Sequence, residues 1–244
     1  MMNDEKKIVI TGASSEIGLA IFNELFHSNP HAYFILQGTA NTAALKPVFQ
    51  QHPGVCEIQK VDFNDEKALS VFLQGIRDSD ILVNAAAVTV TGTLPQLELE
   101  MIRRMVCVNI EALTRLCAAV LPGMVAKRHG CIVNISSVTA SRGNRGQSVY
   151  AGTKGYVESF TRSLAAEYGA RGIRVNGVAP GPINSGKLTE LLEYAPDEVK
   201  KSIAANRLGE PADVANLVGF LCSEKAAFIN GKIIGVDGGF MRGV

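Results

Sequence analysis

The sequence predicts an α/β protein, a doubly wound sheet of about seven parallel strands with helices on both faces. Three observations lead there. Short aliphatic or β-branched runs alternate with helix-like segments along the whole chain. The runs are apolar nearly throughout, as strands buried on both faces are. No repeat, low-complexity tract or linker divides the 244 residues, so the expectation is a single domain over 1–244.

KIVIT (7–11) is the first strand, and TGASSEIG carries it into a helix over 16–28 whose start the serines can cap. AYFILQG (32–38) is the second strand, followed by a helix over 42–51. CEIQKV (56–61) and DILVNA (80–85) are the third and fourth, joined by a helix over 65–77. A long helix over 97–127 leads into GCIVNIS (130–136), and another over 149–170 leads into IRVNGVA (173–179). The weakest pattern runs from Pro180 to about Arg207. A loop there lies beyond the carboxyl end of the sixth strand, where open α/β sheets bind ligands. A helix over 211–223 and the strand KIIGV (232–236) complete the alternation.

Composition narrows the function classes. With 47% hydrophobic residues and 24 glycines the chain can bury one large core. A net charge of +1 with scattered basic residues gives nucleic-acid binding no support. Apolar stretches of about ten residues are too short to span a bilayer. The start MMNDEKKIVITG passes directly into a strand and reads as no signal peptide. Cys56, Cys107, Cys117, Cys131 and Cys222 are odd in number and lack CxxC spacing, so they read as small core residues in a reducing cytoplasm, with no metal site.

Thr11-Gly12-Ala13-Ser14-Ser15-Glu16-Ile17-Gly18 joins the first strand to the first helix. Gly12 permits a tight turn, and the helix N-terminus offers free N–H groups to an anion such as a phosphate. Glu16 puts a carboxylate into that cradle. It gains roughly 0.3–1 kcal/mol from the helix dipole. A phosphate charge ~10 Å away in water repels it by about 0.4 kcal/mol. The terms nearly cancel if the side chain turns outward from a pyrophosphate. No Asp or Glu occurs between Leu25 and Cys56, where a site for NAD places an acid on the ribose. Nothing there repels a 2′-phosphate, and Ser14, Thr39, Asn41 and Thr42 can hydrogen-bond one, so NADP(H) is expected over NAD(H).

The second informative stretch is SVYAGTKGYVESFTRSLAAEY. Tyr150 and Lys154 share a helix face, and Ser136-Ser137 ends the fifth strand at the ligand edge of the sheet. A hydroxyl facing a phenol and an ammonium suits carbonyl reduction. Bringing a phenol of pKa ~10 to neutral pH takes about 4 kcal/mol. A lysine charge ~4 Å away at effective dielectric 20 supplies about that much before desolvation.

With TGASSEIG, Asp62 in KVDFND, Asn84–Ala87, Asn109 in CVNIEAL, ISS at 135–137, YAGTK, PGPI at 180–183 and VDGG in order, the chain resembles the short-chain dehydrogenase/reductase family over essentially its full length. The resemblance implies one Rossmann-like domain and a catalytic tetrad of Asn109, Ser137, Tyr150 and Lys154. In it Tyr150 donates the proton, Ser137 polarises the carbonyl, Lys154 lowers the phenol's pKa and holds the nicotinamide ribose, and Asn109 anchors a relay water. It further implies dinucleotide contacts at Gly12, Ser14, Ser15, Ile17, Gly18, Thr39, Asp62, Phe63, Asn84, Ile183 and Ser185, besides Tyr150 and Lys154. Asp62 would contact adenine, and Ile183 and Ser185 the carboxamide. Three positions depart from the family pattern: Glu16 for a glycine, Ala87 closing Asn84–Ala87, and Ser185 where threonine is common.

KRHGCIVNISS, GNRGQSVYAGTKGY, AAEYGARGIRVNGVAPGPI and RLGEPADVANLVGFL look most like 3-oxoacyl-(acyl carrier protein) reductases. That branch implies NADPH-dependent reduction of a 3-oxoacyl thioester, in fatty-acid or specialised polyene or polyketide synthesis. It implies Gln147 on the substrate channel, an acyl carrier protein received at Lys127, Arg128 and Arg171, with Arg142 and Arg145 on the rim, and a homotetramer built through the two long helices. Two other readings stay open: a family member acting on a free ketone, sugar or secondary alcohol, and a catalytically silent dinucleotide sensor or scaffold.

Overall fold

A computed structural model of the chain describes residues 6–39, 42–186 and 196–240, with main chain alone at 196–198. Seven strands form one sheet: β1 (Lys7–Thr11), β2 (Tyr33–Gly38), β3 (Cys56–Lys60), β4 (Ile81–Asn84), β5 (Gly130–Ile135), β6 (Ile173–Pro180) and β7 (Ile233–Val236). The order is β3-β2-β1-β4-β5-β6-β7 and every pairing is parallel. The chain leaves β1 toward β3, then returns to its other side at β4. That reversal opens the crevice in which doubly wound sheets hold nucleotides.

Strand alternation builds two cores. Ile8 and Ile10 of β1 face α1 (Glu16–Ser28) and α8 (Pro211–Cys222), which contribute Ile21, Phe22, Leu25, Val214, Val218 and Leu221. Val9 faces the other way, with Leu82 and Ile132, onto α3 (Glu66–Gly75), α5 (Leu113–Lys127) and α6 (Ser148–Tyr168). Each buried aliphatic side chain contributes roughly 1.5–3 kcal/mol, so neither face of the sheet tolerates exposure. This is why the strands read as continuous apolar runs.

The helices differ from expectation in three places. The second is short: α2 (Lys46–Gln51) follows a 3₁₀ turn, Ala43–Leu45. The long helix is interrupted: α4 (Leu99–Val106) passes through a π-helical turn, Cys107–Ala112, before α5. The cause is Asn109 on that turn, whose amide grips the main chain of Val88 through both of its polar atoms; such turns recur at functional sites. Part of the expected loop over 180–207 is helical, as α7 (Pro196–Ser202), and residues 187–195 and Asn41 lie outside the described residues.

The composite helix Leu99–Lys127 reaches the length and mean hydropathy, 1.5, of a membrane-crossing helix by composition alone, as core helices also do. Half of that window is buried, with Leu116, Val120 and Met124 in the core of this fold. All five cysteines are free, four of them buried. A polar chain crosses the sheet: Asn84 donates to Asn134 (2.8 Å) and Asn134 to Thr161 (2.9 Å). The Asn84 Oδ1 at its end is buried without a partner.

Candidate active site

The C-terminal ends of the strands bring most of the expected residues together. After β1 the chain turns at Gly12 with φ +66°, and a Cβ there would lie 2.7 Å from the Ala86 main chain. A side chain at Gly18 would strike the Gly12 carbonyl. Glycine is therefore required at both positions by close approach. Ser15 is the N-cap of α1: its hydroxyl accepts from Gly18 N–H (3.0 Å) and donates to the Gly12 carbonyl (2.8 Å). Its side chain thus holds the loop in place. The first helical residues, Glu16 and Ile17, have N–H groups that the intrahelical ladder leaves unbonded. A loop whose glycines admit close approach and whose helix start offers two amides fits a pyrophosphate.

Glu16 is exposed, and its Oε2 accepts from Gly186 N–H at 2.8 Å. The carboxylate reaches across the crevice to the chain beyond β6 instead of standing free in solvent. On that chain Ile183 is buried and bridged to Gly209, while Asn184 N–H donates to the Gly209 carbonyl at 2.7 Å. The segment carrying Ile183 and Ser185 is thereby held beside the cradle.

At the end of β2, a Cβ on Gly38 would stand 2.9 Å from Ser14 Oγ and 3.1 Å from Thr42 Cγ2. Ser14 and Thr42 thus flank the strand end, next to the exposed Thr39. Beyond β3, Asp62 Oδ1 accepts from Asn64 N–H (3.0 Å) and from the Asn64 amide (2.8 Å). These two bonds, the main-chain one first, hold its carboxyl below the usual range. The Phe63 ring is buried in the core beside Phe72, and the Asn84 amide, 2% exposed, is bonded to Asn134 in the sheet, so a dinucleotide contact at either residue would fall to its main chain.

The catalytic corner lies where β5 meets α6. Ser137 and Tyr150 are neighbours in this corner, and the Ser137 hydroxyl acts on the Tyr150 phenol to lower its pKa. Ser137 Oγ donates to Thr139 Oγ1 at 3.0 Å, and Thr139 stands 3.5 Å from Gln147 Oε1. Gln147 therefore belongs to the same chain of polar atoms. Lys154 is 3% exposed, lies 5.7 Å from the Tyr150 ring centroid and donates to the Ile135 carbonyl at 2.7 Å. Burial pushes the phenol up to about 12, against the effect of the Ser137 hydroxyl, and the ammonium down to about 8. Desolvation is the dominant cause of both shifts, and the Lys154 ammonium is engaged by the Ile135 carbonyl. The amide of Asn109 is engaged with Val88 and donates to Thr153 Oγ1 (3.1 Å), so both its N–H groups are taken. A relay water at Asn109 would have to rest on its main chain.

Sequence reasoning missed Thr139, Thr153 and the pin between Ser136 and Glu158, whose Oγ and Oε1 are 3.1 Å apart. Two residues after Ser137, Thr139 could have been found as its nearest hydroxyl partner. Glu158 could not, because on a helix it reads as a solvated charge.

The three cations expected to receive a carrier protein lie away from this site. Lys127 and Arg128 precede β5 and Arg171 precedes β6. They lie at the opposite edge of the sheet, about 20 Å away at ~3.3 Å per strand residue. Lys127 is paired with Asp80 at 2.7 Å and donates to the Asp78 carbonyl. Arg128, held at φ 51°, donates to the Ala170 carbonyl (3.3 Å) beside the exposed Arg171. Arg142 lies over the Phe240 ring at 4.2 Å on the catalytic side.

A family model described as enoyl-(acyl carrier protein) reductase matches residues 12–241. The 3-oxoacyl-[acyl-carrier-protein] reductase FabG of Pseudomonas aeruginosa is 36% identical over 242 residues, covering 96% of each chain. Among solved structures, a Beutenbergia cavernae protein assigned as an NAD(P)-dependent gluconate 5-dehydrogenase, with NADP bound at low occupancy, superposes with TM-score 0.90 at 29% identity, covering 98% of this chain and 97% of that one. A protein assigned as a betaketoacyl-ACP reductase gives TM-score 0.85 at 31% identity over 96% of each chain.

Proposed function

The chain belongs to the short-chain dehydrogenase/reductase family of NAD(P)-dependent oxidoreductases, and from that premise we propose that it reduces a 3-oxoacyl thioester, carried on an acyl carrier protein, to the 3-hydroxyacyl thioester. The observation that carries the proposal is the gathering of Ser137, the Tyr150 phenol and the buried Lys154, 5.7 Å from the Tyr150 ring, at the edge of the crevice that the Gly12 loop opens. When bound, a nicotinamide dinucleotide supplies the hydride. The amides of Glu16 and Ile17 would hold its pyrophosphate, and Ser14, Thr39 and Thr42 would stand by its adenosine ribose. Those neutral hydroxyls favour NADPH over NADH, since the sequence has no Asp or Glu between Leu25 and Cys56.

Ser137 donates a hydrogen bond to the substrate carbonyl oxygen and orients it. Tyr150, protonated at neutral pH because burial raises its pKa, gives its proton to that oxygen as the alkoxide forms. Lys154, charged below about pH 8, stabilises the phenolate left behind and holds the nicotinamide ribose. Thr139 fixes the Ser137 rotamer, and Gln147 extends the polar wall toward the channel.

Within this reading the enzyme works in the cytoplasm, consistent with its five free thiols, and as a homotetramer. Leu99, Met101 and Val106 of α4 are 59%, 39% and 40% exposed, an apolar surface that a neighbouring subunit would cover. The cations Arg128 and Arg171 then receive the carrier for a neighbouring subunit's site. Light scattering should give four times the 26.0 kDa chain mass.

A second reading, oxidation of a free polyol or reduction of a keto sugar, is favoured by the likeness to the gluconate 5-dehydrogenase structure. Following NADPH absorbance with an acetoacetyl thioester, with NADH and 5-ketogluconate in parallel, separates the two. Faster oxidation of NADPH with the thioester supports the proposal. Turnover with the keto sugar alone replaces it with the second reading.

A further inference from the structure

Gln37 is the last residue of β2 before its terminal glycine, and it is fully buried. A primary amide in that position costs a few kcal/mol unless its atoms find partners. Here Oε1 accepts from Gly12 N–H at 2.9 Å, and Nε2 donates to the Val61 carbonyl at 2.7 Å. The Gln37 main-chain carbonyl accepts from Ala13 N–H at 2.8 Å. Only this orientation of the amide faces a donor with the oxygen and an acceptor with the nitrogen. Val61 in turn donates its N–H to the Gly38 carbonyl at 2.9 Å and precedes Asp62.

Three segments therefore meet on one side chain: the turn after β1, the end of β2 and the turn after β3. These line the half of the crevice where the adenosine and pyrophosphate lie. Two loop amides, Gly12 and Ala13, point inward to Gln37, which leaves the helix-start amides to face the ligand. We propose that Gln37 is the positioning residue that pre-organises the adenosine side of the cradle, and so sets affinity for the dinucleotide and not the rate of the chemical step. The inference rests on the dinucleotide-binding reading above. Its physical basis is that a cradle already bonded in its bound shape loses little freedom when the ligand arrives.

The test uses the full-length chain and the variants Gln37→Met and Gln37→Asn. The first keeps length and removes both side-chain bonds; the second keeps the amide but cannot reach both partners. Titration calorimetry with NADPH and with 2′,5′-ADP should show both ligands weakened about ten-fold or more in each variant. At saturating NADPH, kcat should stay within about three-fold of wild type while the KM for NADPH rises in step with the Kd. Unchanged affinity overturns the proposal, and so does an equal fall in kcat and affinity with an early melt, the mark of a residue that only holds the fold. If both variants fail to fold, hydrogen exchange on the wild-type protein decides. Slow exchange at Gly12 and Ala13 before any nucleotide is added supports pre-organisation; fast exchange that slows only with NADPH overturns it. A wild-type protein that binds neither nucleotide overturns the dinucleotide reading itself, an outcome distinct from wild-type binding that the variants share.

Discussion

The two ends of β5 have opposite chemistry. At its C-terminal end Ser137 is hydrogen-bonded to the buried Thr139 and the buried Lys154 to the main chain, with Tyr150 half-buried beside them. At its N-terminal end Arg128 and Arg171 are exposed, and Lys127 is tied to Asp80. The first arrangement suits proton transfer, which needs fixed donors in a dry place. The second suits the capture of an acidic partner, which needs solvated charge acting at range. One strand separates the requirements, so a carrier held at one end of a protomer is not at that protomer's own site.

The contrast is broken most severely at the catalytic end. Tyr150→Phe should lower kcat by about 10²–10⁴-fold, the usual worth of a general acid, with NADPH affinity by titration unchanged. Retention of turnover would mean that the proton comes from elsewhere. The pH dependence should follow Lys154: kcat/KM for reduction is level below about pH 8 and falls above it, as the ammonium is lost while Tyr150 at about 12 stays protonated. That is about ten-fold per pH unit for a single group. A fall that begins only near pH 10 would show that Lys154 is not held in its desolvated place.

At the solvated end effects should be smaller and selective. Arg128→Glu with Arg171→Glu should lower kcat/KM for carrier-bound substrate about ten-fold and leave small thioesters within about two-fold, because rim charge acts on encounter. Equal loss on both substrates would remove the docking role. Lys127→Ala should change carrier kinetics by less than about two-fold, since an exposed, already paired cation has little charge to lend. The smallest effect is expected between the two regions: Glu16→Gly relieves phosphate repulsion but removes the bond to Gly186 N–H, so these opposing effects should change NADPH affinity by no more than about three-fold.

The strands were legible because parallel strands buried on both faces must be apolar at every position, whereas their order in the sheet is a matter of pairing that no local run records. The Ser15 cap was legible too, being local. What escaped depends on distance along the chain. Glu16 finds its partner at Gly186, which offers only a main-chain N–H. The π-helical turn exists because Asn109 grips Val88, a contact that helical periodicity cannot register. Gln37 at a strand end reads as an ordinary polar terminus, and only the folded sheet reveals it as a buried junction. The location of Arg128 and Arg171 was in principle visible, because each stands just ahead of a strand while the tetrad follows one.

The Asn84–Asn134–Thr161 chain bears on how the sheet assembles in time. Parallel pairing joins segments far apart in sequence and is slow to form, and apolar strands can slip against each other at little cost. Asn84 and Asn134 sit directly opposite in the β4–β5 register. A slip by one residue would turn every side chain of the strand to the other face and strand an amide among Leu and Val. The pair therefore acts as a key that rejects misaligned sheets, and Asn134→Val should reveal it as slower refolding with a heterogeneous, early-melting product; refolding at the wild-type rate would mean that the apolar packing alone sets the alignment.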